Sequence, residues 1–156
     1  MIVRADEDKK PGEQPFDDAE FVKKAANGGM HEVAIGKIAA SRVKSDAVKA
    51  FAERMVTDHT KINAELKKAA AAAGLAVPEV MDEKYQKEVD RFKNYTGSDF
   101  QGDYVKHMLV DHEADVSLFT RASKEAKNPA IKEFATKTLP TLQDHLKAVR
   151  KLQSMP

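Results

Sequence analysis

The sequence predicts a single all-α domain, and three observations support this prediction. Alanine and lysine dominate the 156 residues, while aromatic residues make up only 6% of them. Apolar residues recur at helical spacing in four long segments and one short segment. Residues typical of helix caps stand at the boundaries of the long segments. Together these features predict four long helices and a shorter one.

The first long helix is predicted to begin at Asp17. Glu20 follows three residues later, and Phe16 and Phe21 stand on either side of this pair. This spacing is typical of a capping box combined with a hydrophobic staple, which fixes the direction in which the chain enters a helix. We expect the helix to continue to about Lys44.

The second long helix is followed by a long connection. Ser45 is its predicted N-cap, and it is expected to run to Ala73 and end at Gly74, because glycine readily takes the left-handed conformation found after helices. Residues 74–98 then contain an amphipathic segment, for which we predict a short helix from about 80 to 95.

The third long helix is expected to begin at Ser98, where Gln101 completes a second capping box, and to end near Lys127. Asn128 and the proline after it then form the cap and first residue of a fourth helix, which is predicted to run to about residue 153. Pro140 lies inside this last helix, where we expect it to cause a kink.

The lengths of the connections predict the topology. Short links join the first helix to the second and the third to the fourth, so each pair should form an antiparallel hairpin. The link between the hairpins has about 25 residues, enough to run back along the bundle as the crossover of ferritin-like folds does. We therefore predict a ferritin-like four-helix bundle over residues 17–153, preceded by a disordered tail at residues 1–16.

A nine-residue pattern occurs twice in the sequence. Residues 51–59 and 104–112 both read as an aromatic residue, three further residues, Met, an aliphatic residue, any residue, Asp and His. A third Asp-His pair, Asp144 and His145, lies in the fourth long helix. The pattern thus places an Asp-His pair in each of three long helices, which points to a shared role for these residues.

Each long helix carries one residue with metal-binding capability on its apolar face. These residues are Glu32, His59, His112 and His145. Glu32 and His59 are equally distant from the first predicted turn, and His112 and His145 are equally distant from the second. Residues equidistant from the turn of an antiparallel hairpin lie side by side, so we expect all four in one layer near the middle of the bundle.

A buried carboxylate and three buried imidazoles are unfavourable unless they are paired, and two arrangements would pair them. A divalent metal ion can bind all four: zinc in a tetrahedral site, or iron, nickel, copper or manganese. Alternatively, the four residues can form a metal-free hydrogen-bonded layer. The aspartates that precede the histidines point about 100° away around each helix, so we predict them as partners of the ligands or as interface groups rather than as ligands. These are Asp58, Asp111 and Asp144.

Two glycines, Gly28 and Gly29, stand in the first helix one turn before Glu32. Glycine destabilises a helix interior by about 1 kcal/mol relative to alanine. Their position is compatible with room for a bulky neighbour, with a local π-bulge, or with close packing of two helices.

Composition excludes several classes of function. The net charge is +1 and the charges are mixed, so we expect no nucleic-acid partner. No apolar run approaches the roughly 18 residues of a transmembrane segment. The absence of cysteine excludes disulfides, thiol catalysis and thiolate ligands. No signal peptide is visible, because residues 1–15 are charged. Protein partners cannot be named, and an oligomer is compatible with the sequence.

Four segments, at residues 21–36, 55–59, 108–112 and 138–145, resemble the hallmark segments of the DUF4142 family of bacterial domains of unknown function. The resemblance covers about residues 17–153. It implies a ferritin-like fold and an exported or periplasmic protein, and it supplies no established activity.

The sequence departs from di-iron ferritins, which carry Glu-x-x-His pairs. Val56, Leu109 and Leu142 stand three residues before the histidines instead. We therefore expect no ferroxidase chemistry.

Three functional hypotheses follow. The first is a metal-binding bundle of the bacterial cell envelope, non-catalytic or weakly redox-active, with a role in metal handling or stress response. The second is a metal-free structural or interaction module with a buried His/Glu layer. The third, a hydrolase that uses the histidines as acid and base, has the least support, because no Ser or Cys nucleophile motif accompanies them.

Overall fold

The computed structural model describes residues 12–155 and shows five helices and no β-strand within that range. Residues 1–11, which make up most of the predicted disordered tail, lie outside the described residues. Across the part of the chain that is described, no helix is long and apolar enough to span a membrane. The helices are α1 (Asp18–Arg42), α2 (Asp46–Ala73), α3 (Glu83–Lys93), α4 (Phe100–Glu125) and α5 (Pro129–Gln153).

The predicted N-cap and hydrophobic staple at the start of α1 and the predicted glycine at the end of α2 are confirmed. The Asp17 carboxylate accepts a hydrogen bond from the backbone N–H of Glu20 at 3.0 Å. The rings of Phe16 and Phe21 pack with their centroids 5.8 Å apart, as the hydrophobic staple requires. Gly74 has a φ of 69° after the last turn of α2, a conformation that glycine adopts without steric cost.

The predicted start of α4 is wrong by one residue. Asp99, not Ser98, is the N-cap, and its carboxylate accepts from the N–H of Gly102 at 2.9 Å. The Gln101 side chain, which we expected to complete a capping box, instead accepts a hydrogen bond from the backbone N–H of Ser45 at 3.0 Å. Asp and Ser are comparable caps, so the local sequence could not distinguish between them.

Two contacts at opposite ends of the molecule establish the direction of each helix. Gln101 joins the start of α4 to the α1–α2 turn. Asp18, the first residue of α1, accepts a hydrogen bond from the N–H of Asn128 in the α4–α5 turn at 2.7 Å. The chain between α2 and α4 therefore runs back along the molecule and carries α3, which packs on α1. α1 lies beside α2 and α4, α5 lies beside α4 and α2, and these neighbours are all antiparallel.

The core of this helical bundle consists of two apolar halves with polar residues between them. One half includes Phe21, Leu66, Phe119 and Phe134. The other includes Ile35, Met55, Tyr104, Met108 and Val149. Along each long helix the polar residue on the apolar face falls between the two halves. The buried polar layer consists of Glu32, His59, His112 and His145, each at most 3% exposed.

The glycines of α1 lie in three different environments. A Cβ on Gly36 would lie 3.0 Å from Val56 Cγ2 and 3.1 Å from the backbone oxygen of Ala52, so this glycine allows α1 and α2 to pack closely. A Cβ on Gly29 would overlap the Asn63 side chain, whereas one on Gly28 would make an ordinary contact at 3.9 Å. α1 is a regular α-helix through all three, so the π-bulge suggested by the sequence is absent.

Gly36→Ala should destabilise the protein by about 1–2 kcal/mol, because the two helices must move apart and this outweighs the gain in helix propensity. Gly28→Ala is the matched control and should stabilise by about 0.5–1 kcal/mol, because its methyl group has room. Urea denaturation of the two variants measures both values. A Gly36→Ala variant as stable as wild type would show that the contact between α1 and α2 adjusts freely.

Candidate metal centre

Three histidines from three helices meet in the polar layer. His59 lies on α2, His112 on α4 and His145 on α5. Their ring centroids are 5.3–5.7 Å apart. One ring nitrogen of each lies within 4.8 Å of a ring nitrogen of the other two. We refer to these three residues as the tri-histidine cluster.

Neighbouring hydrogen bonds fix which nitrogens carry protons in two of the rings. His112 Nδ1 lies 2.8 Å from the backbone oxygen of Met108, so it donates its proton there and leaves the lone pair on Nε2. His145 Nε2 lies 2.7 Å from Asp58 Oδ2 and donates to that carboxylate, which leaves the lone pair on Nδ1. A carboxylate that orients an imidazole in this way is common beside metal ligands.

Three other ring nitrogens of the cluster are buried and unpaired among the described residues. Within residues 12–155, no polar atom forms a hydrogen bond with His59 Nε2, His112 Nε2 or His145 Nδ1. Native proteins leave few buried polar atoms in this condition, and each one calls for an explanation. Three in one cluster are the expected arrangement of three lone pairs that share a ligand.

Burial keeps the cluster uncharged. It lowers the pKa of His59 well below its usual value, and positive charge on His112 or His145 would lower it further. It also lowers the pKa of His112 to about 4, and the Met108 carbonyl only partly opposes this. Burial lowers the pKa of His145 as well, against the opposing effect of Asp58. All three rings are therefore neutral at pH 7, the form that binds metals.

Glu32 lies in the layer but turns toward α4. Its carboxylate oxygen lies within 4.8 Å of ligand atoms of His112 and Asp115, and it is not part of the group formed by His59 and His145. Burial and then the negative charges of Asp111 and Asp115 raise the pKa of Glu32 well above its usual value. Burial, with Asp111, also raises the pKa of Asp115 to about 7. The sequence-predicted set of four is thus divided between two adjoining groups that share His112.

The three predicted partner aspartates lie in three different places. Asp58 contacts the tri-histidine cluster through His145. Asp111 does not point to that cluster, because its carboxylate lies beside His31 and His107 on the α1–α4 side. Asp144 is exposed to solvent.

Asp115, His31 and His107 were not among the candidate ligands predicted from the sequence. A signal was present, because His107, Asp111 and Asp115 are spaced by four residues and therefore lie along one face of α4. That face contacts α1, where His31 precedes Glu32. The polar layer therefore extends from the tri-histidine cluster to a second group of ligand-type residues.

The fold and these groups define a helical-bundle protein with candidate metal-ligand clusters in its core. The chain matches the model of DUF4142, a domain of unknown function, over residues 4–152 and belongs to that family. Its structure is similar to the crystal structure of a DUF305 fragment from Deinococcus radiodurans, with a TM-score of 0.72 and 11% sequence identity. The similarity covers 90% of this chain and 98% of that fragment, and it concerns the fold alone. No curated protein matches the chain.

Proposed function

We propose that this protein binds a divalent transition-metal ion, and that His59, His112 and His145 supply the ligands of its primary site. The observation that carries the proposal is the convergence of three neutral, buried ring nitrogens without hydrogen-bond partners in the described residues. A metal ion would satisfy all three lone pairs at once, whereas protons on the rings would repel one another in this buried position.

The donor set favours particular metals. Imidazole nitrogen suits zinc, copper, iron and nickel, whereas manganese prefers oxygen ligands. Zinc lies about 2.0–2.1 Å from each histidine nitrogen, which places tetrahedral ligand atoms roughly 3.4 Å apart. The ring nitrogens lie within 4.8 Å of one another, so binding would draw the three rings closer together. Three histidines leave at least one position for water or another ligand.

Asp58 connects this site with the surface. Its carboxylate accepts a hydrogen bond from His145 Nε2. It also lines a cleft of about 640 Å³ between α2 and α5. Its side chain is 28% exposed, while that of His145 is fully buried. Asp58 therefore orients one ligand, and the same carboxylate oxygen also accepts a hydrogen bond from Arg54 Nε at 3.1 Å on the cleft side.

The proposed role is metal handling rather than catalysis, because none of the three ligands is more than 3% exposed. We further propose that the fold is ferritin-like, since two antiparallel hairpins joined by a long crossover are the arrangement of that class. A location in the bacterial cell envelope is part of the proposal and rests on the family resemblance.

A metal-free structural layer is the second candidate, and two hydrogen bonds favour it. His145 donates to Asp58 and His112 to the Met108 carbonyl, so part of the layer is satisfied without a metal. In this role the polar residues would fix the register of the helices. The three unpaired nitrogens are the reason that we place it second.

Equilibrium dialysis against zinc, followed by elemental analysis, tests the proposal on protein purified without a nickel column and treated with chelator. His59→Ala and His145→Ala should each lower the bound metal by about one ion per chain, because a site that loses one of three ligands binds weakly. Thr138→Ala, which removes a buried polar group of α5 outside the cluster, is the control and should retain wild-type binding. Unchanged metal content in both histidine variants would exclude the tri-histidine cluster as a site.

A further inference from the structure

A second group of ligand-type residues lies between α1 and α4, apart from the tri-histidine cluster. It consists of His31 on α1 and of His107 and Asp111 on α4. His31 Nε2 and His107 Nε2 are 2.8 Å apart. Asp111 Oδ2 lies 3.1 Å from the His107 nitrogen and 3.3 Å from the His31 nitrogen. Three atoms with lone pairs therefore form a compact triangle.

Hydrogen bonding accounts for only one edge of this triangle. One imidazole N–H can donate to the lone pair of the other ring, which explains the contact between His31 and His107. Asp111 Oδ2 is buried, yet no donor among residues 12–155 is directed at it well enough to form a hydrogen bond. His31 Nδ1 is also buried without a partner in this region. One shared proton therefore pairs the two ring nitrogens, while the Asp111 oxygen lies at ion-pair distance from both rings without a well-directed hydrogen bond.

A cation at the centre would satisfy all three atoms. In six-coordinate sites with ligands at about 2.1 Å, neighbouring ligand atoms are roughly 3.0 Å apart. The three observed separations of 2.8, 3.1 and 3.3 Å fall on both sides of that value. Two histidines and one carboxylate on a single face, with the other positions open, form a recurring site for divalent transition metals.

The surroundings make this group more accessible than the tri-histidine cluster. His31 and Asp111 line a cavity of about 290 Å³, together with Tyr85 from α3. The side chains of His107 and Asp111 are 17% and 27% exposed. The Tyr85 ring packs edge-on against His31 and holds it in place. An ion bound here could keep water ligands on the cavity side and exchange with solvent.

We propose that His31, His107 and Asp111 bind a second divalent transition-metal ion, separate from the ion of the tri-histidine cluster. The two sites share no ligand. Glu32 lies between them, because it follows His31 in α1 while its carboxylate groups with His112. The second site is the solvent-accessible one, and the first is enclosed in the core.

The number of zinc ions bound per chain tests this proposal and separates it from the proposed function. The full chain is dialysed against zinc, and metal and protein are then quantified by elemental analysis. We expect about two ions in wild type, about one in His107→Ala and about one in His59→Ala, with none in the double variant. Lys106→Ala, an exposed neighbour of His107 on α4, is the matched control and should bind two ions.

Asp111→Asn provides a second variant that keeps the side-chain shape but removes the negative charge, and far-UV circular dichroism reports whether each variant folds. It should lose the same ion as His107→Ala. If wild type binds one ion and His107→Ala still binds it, the second site does not exist, while the tri-histidine site stands. If wild type binds one ion that His107→Ala loses and His59→Ala keeps, the second site stands and the tri-histidine site does not.

Discussion

Zinc at one hundred times its dissociation constant should raise the free energy of unfolding by about 2.7 kcal/mol for each site, because it binds the folded chain and not the unfolded one. For a domain of this size, 2.7 kcal/mol corresponds to an increase in Tm of about 5–10 °C. The tri-histidine cluster contributes to this increase in Tm because its three ligands lie close together only in the folded state. Thermal melts with chelator and then with added zinc measure the shift.

The contribution of the tri-histidine cluster is best isolated in a His107→Ala background, which removes the second proposed site. His59→Ala or His145→Ala added to this background should abolish the remaining shift. Thr138→Ala in the same background should leave it intact, since Thr138 is buried but belongs to neither group. A zinc-dependent shift that survives both histidine replacements would place the metal elsewhere, and the proposal would be wrong.

The metal effect should also depend on pH in a specific way. Protons compete with the metal only when the pH approaches the pKa of the ligands. Burial holds the pKa of His112 at about 4 and that of His59 well below its usual value. The increase in Tm should therefore persist below pH 6, where exposed histidines become charged, and disappear as the pH approaches about 4.

The position of the polar layer along the bundle axis could be predicted from the sequence, but the direction in which each of its side chains points could not. Apolar periodicity and distance from the turns place Glu32, His59, His112 and His145 between the two apolar halves, as the structure shows. These patterns say nothing about which neighbouring helix a side chain meets. Glu32 turns toward Asp115 on α4, and this depends on the lateral packing of α1 against α4.

The group formed by His31, His107 and Asp111 required knowledge of tertiary structure. Its members on α4 are four residues apart and can be recognised as a pair, but His31 comes from the other hairpin. Only the antiparallel contact of α1 with α4 brings them together. Nothing in the local sequence around His107 indicates that α1 covers it.

In the absence of metal, His59→Leu should be more stable than wild type by about 1–3 kcal/mol. His59 is 3% exposed, and its Nε2 has no hydrogen-bond partner within residues 12–155. A buried polar atom left without a partner costs about this much, and leucine fills a similar volume without a polar atom. The same replacement removes a ligand, so the variant should lose the zinc-dependent shift of the cluster. Urea denaturation with chelator measures the first effect.

The pH dependence of this difference has a definite sign. The unfolded chain has a His59 pKa near 6.5, whereas burial lowers it well below that value in the folded protein. Between these two values the unfolded state binds more protons, so wild-type stability falls as the pH falls below about 6.5. Leucine binds no proton, and the advantage of His59→Leu should therefore increase between pH 7 and pH 5.

Thr138→Val is the matched control, because it replaces a buried hydroxyl that has no hydrogen-bond partner within residues 12–155 with a methyl group, and it does not titrate. Any stability that it adds should be independent of pH. The metal-free structural layer predicts the opposite sign for His59→Leu, since the loss of a hydrogen-bonding ring would leave its partners unsatisfied and destabilise the fold. A His59→Leu variant that is less stable than wild type at every pH would therefore favour the structural layer. A variant that gains stability and loses metal would show that the chain keeps this histidine at the expense of stability, as a binding site does and a structural layer does not.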